Sequence, residues 1–90
     1  MTKNQLFDLI DSISDEQNPY VEDFLYDLHH WSSFNYDRFT INRFIERMKW
    51  KAERYLQIKN YNKSTCYFEV AKFIKQHQNQ SKNQLKNQTK

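Results

Sequence analysis

Apolar residues recur along the start of the chain at the spacing of an α-helix rather than that of a β-strand. Thr2 and Gln5 match a capping box, and the apolar stripe that follows predicts a first helix over residues 3–14. The members of this stripe are Leu6, Leu9, Ile10 and Ile13.

A second helix is predicted over residues 19–33. Asn18 and Pro19 form a typical helix start, because Asn caps free backbone amides and Pro has the φ angle of a first helical residue. The residues that share one face of this helix are Val21, Phe24, Leu25, Leu28 and Ser32.

Two further stripes predict helices over residues 38–59 and 64–78. The stripe of the longer helix consists of Ile41, Phe44, Ile45, Met48, Ala52, Tyr55 and Leu56. On the last helix Tyr67, Val70, Ala71 and Ile74 share a face, with Phe68 and Phe73 on either side of it. The longer helix is expected to be the central element, because it would span about 30 Å.

Residues 79–90 contrast with this pattern, since Leu85 is their only apolar residue. Such a segment cannot bury enough surface to offset the entropy of ordering it, so disorder is expected there. The pattern as a whole predicts an all-α fold, a small bundle of three to four helices. One helical domain spans residues 1–78, and a polar tail follows it.

Glycine is absent from all 90 residues, and this excludes some functions. Glycine-rich phosphate loops cannot form, which rules out Walker-type and dinucleotide-binding sites. Turns that need a positive φ angle must use another residue, and Asn tolerates that region next best. The residues expected to fill such breaks are Asn18, Asn35, Asn60 and Asn62.

Residue types that carry catalysis or bind metals are sparse and poorly spaced. Cys66 is the single cysteine, which excludes an internal disulfide and favours a reducing compartment. His29 and His30 are adjacent, so on a helix they point about 100° apart and cannot share a metal. Asp8, Asp11 and Asp15 share the outer face of the first helix, which is typical of a solvated surface. We therefore expect no enzyme activity, no cofactor and no metal.

The location of the protein is predicted from what the chain lacks. The segment from Met1 to Asp8 has no apolar run long enough for a signal peptide, and no stretch approaches the roughly 20 apolar residues of a membrane span. Together with the lone cysteine, these features predict a cytoplasmic protein.

Charge is distributed unevenly along the chain. Residues 1–30 contain seven acids and one lysine, whereas residues 31–90 contain thirteen bases and four acids. Three interpretations are open: opposite charges lie side by side on the surface of one molecule, the acidic part of one molecule meets the basic part of another, or the basic part contacts nucleic acid or an acidic protein.

The outward side of the third predicted helix offers the best candidate binding residues. Trp50 lies about 180° from the predicted core stripe, and cations surround it. Trp and Arg are enriched at binding hot spots, although Trp50 could instead be buried under the tail or the last helix. Tyr26 on the second helix and Phe73 on the last lie beside the core stripes, and a thin core is expected to leave such aromatics exposed. The predicted partner-binding residues are Trp50, Arg43, Arg47, Lys51, Arg54, Tyr26 and Phe73.

These observations favour a non-enzymatic regulator or inhibitor that acts by binding another protein. The size and the AT-rich codon bias of the composition are typical of small accessory proteins of phages and mobile elements. One alternative is a regulator that binds nucleic acid through the basic face of residues 38–54. Another is a self-assembling structural protein.

Overall fold

The fold is a bundle of helices, as the apolar pattern predicted. The computed structural model describes the backbone of residues 1–34 and 39–88, and the side chains of residues 1–33 and 39–79. In chain order the helices are α1 (Lys3–Asp11), α2 (Val21–Phe34), α3 (Ile41–Gln57) and α4 (Tyr61–Gln88). The described residues contain no strand, and the predicted all-α class is therefore confirmed.

The starts of the first two helices follow from their capping residues. Thr2 and Gln5 form the predicted capping box, with the Gln5 N–H donating to Thr2 Oγ1 at 3.1 Å and the Thr2 N–H to Gln5 Oε1 at 2.8 Å. α1 ends at Asp11 rather than at residue 14. α2 begins two residues later than predicted, because Asn18 Oδ1 accepts the Tyr20 N–H at 3.1 Å and shapes the turn before the helix.

The turn between α3 and α4 corrects the prediction that asparagines supply positive φ angles. Among the described residues the positive φ angle belongs to Lys59, at 65°. The Lys59 N–H donates to the Leu56 carbonyl and the Asn60 N–H to the Tyr55 carbonyl, which is the Schellman arrangement that usually ends in glycine. Asn60 instead caps α4, with its Oδ1 accepting the Lys63 N–H at 3.4 Å.

The last two helices differ in length from the predictions. α3 begins at Ile41 rather than near residue 38, because Thr40 is extended and caps the helix, and it ends at Gln57 rather than at 59; residue 38 itself lies outside the described residues. α4 begins at Tyr61 rather than near 64 and continues to Gln88, since its Gln and Lys residues favour helix and no Pro or Gly interrupts it. α4, not α3, is thus the longest element. The predicted disorder of residues 79–90 stays a prediction. The side chains from Gln80 onward lie outside the described residues.

The core lies between α3 and α4, with α1 and α2 covering it. Most predicted stripe residues are buried, but Leu56 is an exception and is 47% exposed, because it lies at the edge of the stripe in the last turn of α3. The buried core residues are Leu6, Ile10, Val21, Phe24, Leu28, Phe44, Ile45, Met48, Ala52, Tyr67, Val70, Ala71 and Ile74.

Specific contacts fix the arrangement of α4 against the other helices. The Tyr67 ring meets Phe24 edge-on at 4.8 Å between centroids, which joins α4 to α2. The Ser64 hydroxyl donates to the Ala52 carbonyl of α3 at 2.7 Å in the buried interior. These contacts fix α3 with one side on the core and the other facing outward.

The outer face of α3 as a candidate interface

Capping and apolar spacing together determine which side of α3 faces outward. Thr40 caps the helix by accepting the Arg43 N–H at 3.1 Å, and Phe44, Met48 and Ala52 then face the core with no exposed surface. Trp50 points the other way and is 52% exposed. An indole this exposed is not needed to fill the core, so its presence requires another explanation.

Two arginines stack on two different tryptophans beside this helix. The Arg54 guanidinium lies over the Trp50 ring, 5.0 Å from its centroid. The sequence placed Arg47 among the cations around Trp50. Its guanidinium instead lies over Trp31 of α2, at 5.8 Å. Both guanidinium groups lie within the roughly 6 Å of a ring centroid at which cation–π attraction acts, and each covers part of its ring.

Trp50 separates two open hollows that follow α3. Arg43, Glu46, Arg47 and Trp31 border the first hollow together with Trp50. Lys51, Arg54, Tyr55, Gln57 and Ile58 border the second, again together with Trp50. Ile58 is 70% exposed and is an apolar residue in an otherwise polar and basic rim. We call the surface formed by Trp31, Arg43, Arg47, Trp50, Lys51, Arg54 and Ile58 the α3 outer face.

A buried carboxylate lies beneath this face. Asp27 of α2 is 5% exposed and accepts hydrogen bonds from Arg47 Nε at 3.1 Å and from Lys51 Nζ at 3.0 Å. Both cations remain partly in contact with water. Two of the four basic side chains that the sequence assigned to this face are therefore already paired, and the α3 outer face is less positive than its sequence indicates.

Tyr26 lies on a separate surface between α1 and α2. It is 71% exposed and stacks on His30, with ring centroids 5.9 Å apart and planes 15° from parallel. An open groove runs beside it. We call this surface the α1–α2 groove, and its lining residues are Phe7, Asp8, Asp11, Leu25, Tyr26 and His29.

Phe73 belongs to a third surface. Its ring is half-buried and packs against His77 at 4.5 Å, and it borders a hollow with Ile13, Asn18 and Glu69. The seven predicted partner-binding residues thus fall on three surfaces, of which the α3 outer face holds five. That any of them binds a partner stays a prediction.

Sequence reasoning missed three residues of this region. Ile58 could have been found, because it follows Arg54 by four residues within the helix predicted over residues 38–59, and such residues share a helix face. Trp31 and Asp27 are four residues apart on α2, which indicates that they share a side of that helix. Their position beside α3 depends on tertiary packing, and no local signal in the sequence reveals it.

Two ionisable groups among the described residues have pKa values shifted from their ordinary range. Burial, with the nearby Glu69 carboxylate, raises the pKa of the Cys66 thiol, which opposes formation of the reactive thiolate. Burial, with Tyr55 beside it, raises the pKa of Tyr67 well above its ordinary value. No group of three His, Cys, Asp or Glu side chains in the described part of the chain is placed to hold a metal ion.

The chain has no match among the known proteins with which it was compared. No protein-family model, curated protein or solved structure matches this chain. Within the described ranges, no helix combines the length and the apolarity needed to cross a membrane.

Proposed function

We propose that this protein is a non-enzymatic regulator that binds another protein through the α3 outer face. The observation that carries the proposal is Trp50, which is half-exposed on the side of α3 opposite the core, under Arg54 and between two hollows. Whether binding inhibits or activates the partner depends on the partner.

The physical argument rests on what each side chain gains in a complex. An exposed indole gains most from being removed from water, and a cation already stacked on the ring needs little further ordering. Ile58 supplies a second apolar contact beyond Arg54, and the surrounding cations form the polar rim found around hot spots. The complementary partner surface is acidic with apolar side chains that enter the two hollows.

The same geometry favours a protein partner over nucleic acid. Arg47 and Lys51 are paired with Asp27, and Glu46 borders the first hollow, where its carboxylate repels phosphate. Nucleic-acid affinity depends on cations that replace counterions along the backbone, and this face has few to offer.

The test compares three tagged proteins as baits in lysate of the source cells: the unmodified chain, Trp50→Ala and the control Phe68→Ala. Phe68 is an exposed aromatic on α4 outside the α3 outer face. We expect a partner that the unmodified and Phe68→Ala baits retain and the Trp50→Ala bait loses. With that partner purified, calorimetry should show a loss of about 2 kcal/mol or more for Trp50→Ala. Equal binding by all three baits would refute the proposal.

Nucleic-acid binding is measured separately, as duplex-DNA affinity against salt concentration. Four phosphate contacts from the α3 cations would make the logarithm of the DNA affinity fall with the logarithm of salt concentration at a slope of roughly −3.6. Because Asp27 already pairs with two of these cations, we expect a slope no steeper than about −2. We therefore expect weak binding that disappears near physiological salt. Tight binding with a steep slope would favour the nucleic-acid alternative.

A further inference from the structure

The two sides of α2 carry surfaces of opposite charge. On one side Asp27 is buried and paired with Arg47 and Lys51. On the other side Asp8 and Asp11 line the α1–α2 groove, and neither forms an ion pair within the described part of the chain. Among the described residues, Asp27 is therefore neutralised by two ion pairs, whereas the carboxylates of the groove are not.

The groove is also partly apolar. Phe7 and Leu25 are partly buried and pack against the core, and Tyr26 stands at the edge of the groove with most of its ring in water. A surface with an apolar floor, an exposed aromatic and unpaired carboxylates complements one that presents exposed apolar side chains beside a cation. The α3 outer face of this same protein is such a surface, because Trp50 and Ile58 are exposed there beside Arg54.

We infer that the α3 outer face of one molecule docks into the α1–α2 groove of a second copy. Trp50 and Ile58 meet the apolar floor and Tyr26, while Arg54 approaches Asp8 and Asp11. The inference rests on the proposed role of the α3 outer face in binding protein. A second copy is the chosen partner because the charges and the apolar side chains of the two surfaces are complementary.

The two surfaces share no residue and lie on different flanks of α2. Tyr26 and Trp31 are five residues apart, so they point about 140° away from each other around the helix. One molecule can therefore use both surfaces at the same time. Such a contact is heterologous, and it produces chains or rings rather than only a closed two-fold dimer.

The association is expected to be weak and sensitive to salt. Both surfaces are exposed and charged, and each has only a few apolar side chains, unlike an obligate interface. Electrostatic attraction between exposed charges is screened within about 8 Å at physiological ionic strength. A foreign partner on the α3 outer face would displace the second copy, so self-association would compete with partner binding.

The first experiment measures the mass of the full chain by light scattering over a range of concentrations. At low ionic strength the average mass should rise with concentration above the 11.2 kDa of the monomer, and high salt should restore the monomer. A mass that stays at 11.2 kDa across millimolar concentrations at low salt would overturn the inference.

The second experiment tests the heterologous pairing with two disabled proteins. The double variant Trp50→Ala, Arg54→Glu lacks a working α3 outer face, and Asp8→Lys, Asp11→Lys lacks a working groove. Each should be monomeric alone, and an equal mixture should form a 1:1 heterodimer, since each supplies the surface that the other lacks. Failure of the mixture to associate would contradict the pairing even if the unmodified protein self-associates.

Matched controls separate these surfaces from a general effect of charge. Asp15→Lys, Glu16→Lys makes the same charge change in the exposed segment after α1, and Lys72→Glu reverses one charge on the exposed side of α4. Both controls should associate as the unmodified protein does. All substituted side chains are exposed, and circular dichroism checks that each variant keeps its helices.

Failure of the self-association can be distinguished from failure of the proposed function. If the chain is monomeric but Trp50→Ala still loses the foreign partner, only the self-association is wrong. If Trp50→Ala keeps the foreign partner, the proposed function is wrong whatever the scattering shows.

Discussion

The two sides of α3 belong to the same helix and differ in exposure to water. Phe44, Met48 and Ala52 have no exposed surface, whereas Trp50, between the last two in sequence, is half in water. The hydrophobicity of the side chains does not explain this difference, since the Trp50 indole is itself large and mainly apolar. The difference lies in position around the helix, so an aromatic residue opposite the core needs an explanation other than folding.

The charges of α3 divide in a similar way. Arg47, Lys51 and Arg54 all belong to the α3 outer face, but Asp27 of α2 pairs with Arg47 and Lys51, while Arg54 stacks on Trp50. The two ion pairs link α2 to α3. Trp50, stacked under Arg54, is still half-exposed, so burying its ring against a partner would add binding free energy.

Substitutions on the inner side should have the largest effect on stability. Phe44→Ala and Met48→Ala should each lower the free energy of unfolding by roughly 2–5 kcal/mol, because each leaves a cavity in a thin core. Thermal melting followed by circular dichroism measures this. Leu56→Ala is the matched control, because Leu56 was predicted on the same stripe but is exposed. Losses of similar size for all three variants would show that the inner face is wrongly assigned.

Loss of the buried carboxylate should have an intermediate effect. Asp27→Asn keeps the shape of the side chain but removes the charge that pairs with Arg47 and Lys51. We expect a loss of about 1–2 kcal/mol in urea unfolding, below the value for a fully buried pair because both cations reach solvent. Glu53→Gln, an exposed carboxylate on α3, should change stability by less than about 0.5 kcal/mol. Equal effects of the two substitutions would contradict a stabilising role for Asp27.

The sequence was sufficient to predict the inner side of α3 and most of the fold. Apolar spacing placed Phe44, Met48 and Ala52 in the core, and the same periodicity placed Trp50 on the opposite side. Leu56 shows the limit of this reasoning, because a residue at the edge of a stripe is buried only if a neighbouring helix extends far enough to cover it.

The outer side could be predicted only in part, since tertiary contacts decide which cations remain on it. Asp27 is separated from Lys51 by 24 residues, and nothing local indicates that the two meet. The turn after α3 shows a similar limit. Asn was expected at the positive φ angle, but Lys59 adopts it because Asn60 is needed to cap α4.

The smallest effect on stability is expected at Trp50, and it gives the most direct test of the central claim. In a Trp31→Phe background Trp50 is the single tryptophan, and its emission and quenching by neutral acrylamide report its exposure in dilute, high-salt solution. The account predicts emission typical of an indole in water, ready quenching, and a blue shift with loss of quenching when the partner binds. Blue-shifted emission that resists acrylamide in the isolated monomer would show that Trp50 is a packing residue. The α3 outer face would then not be a binding surface.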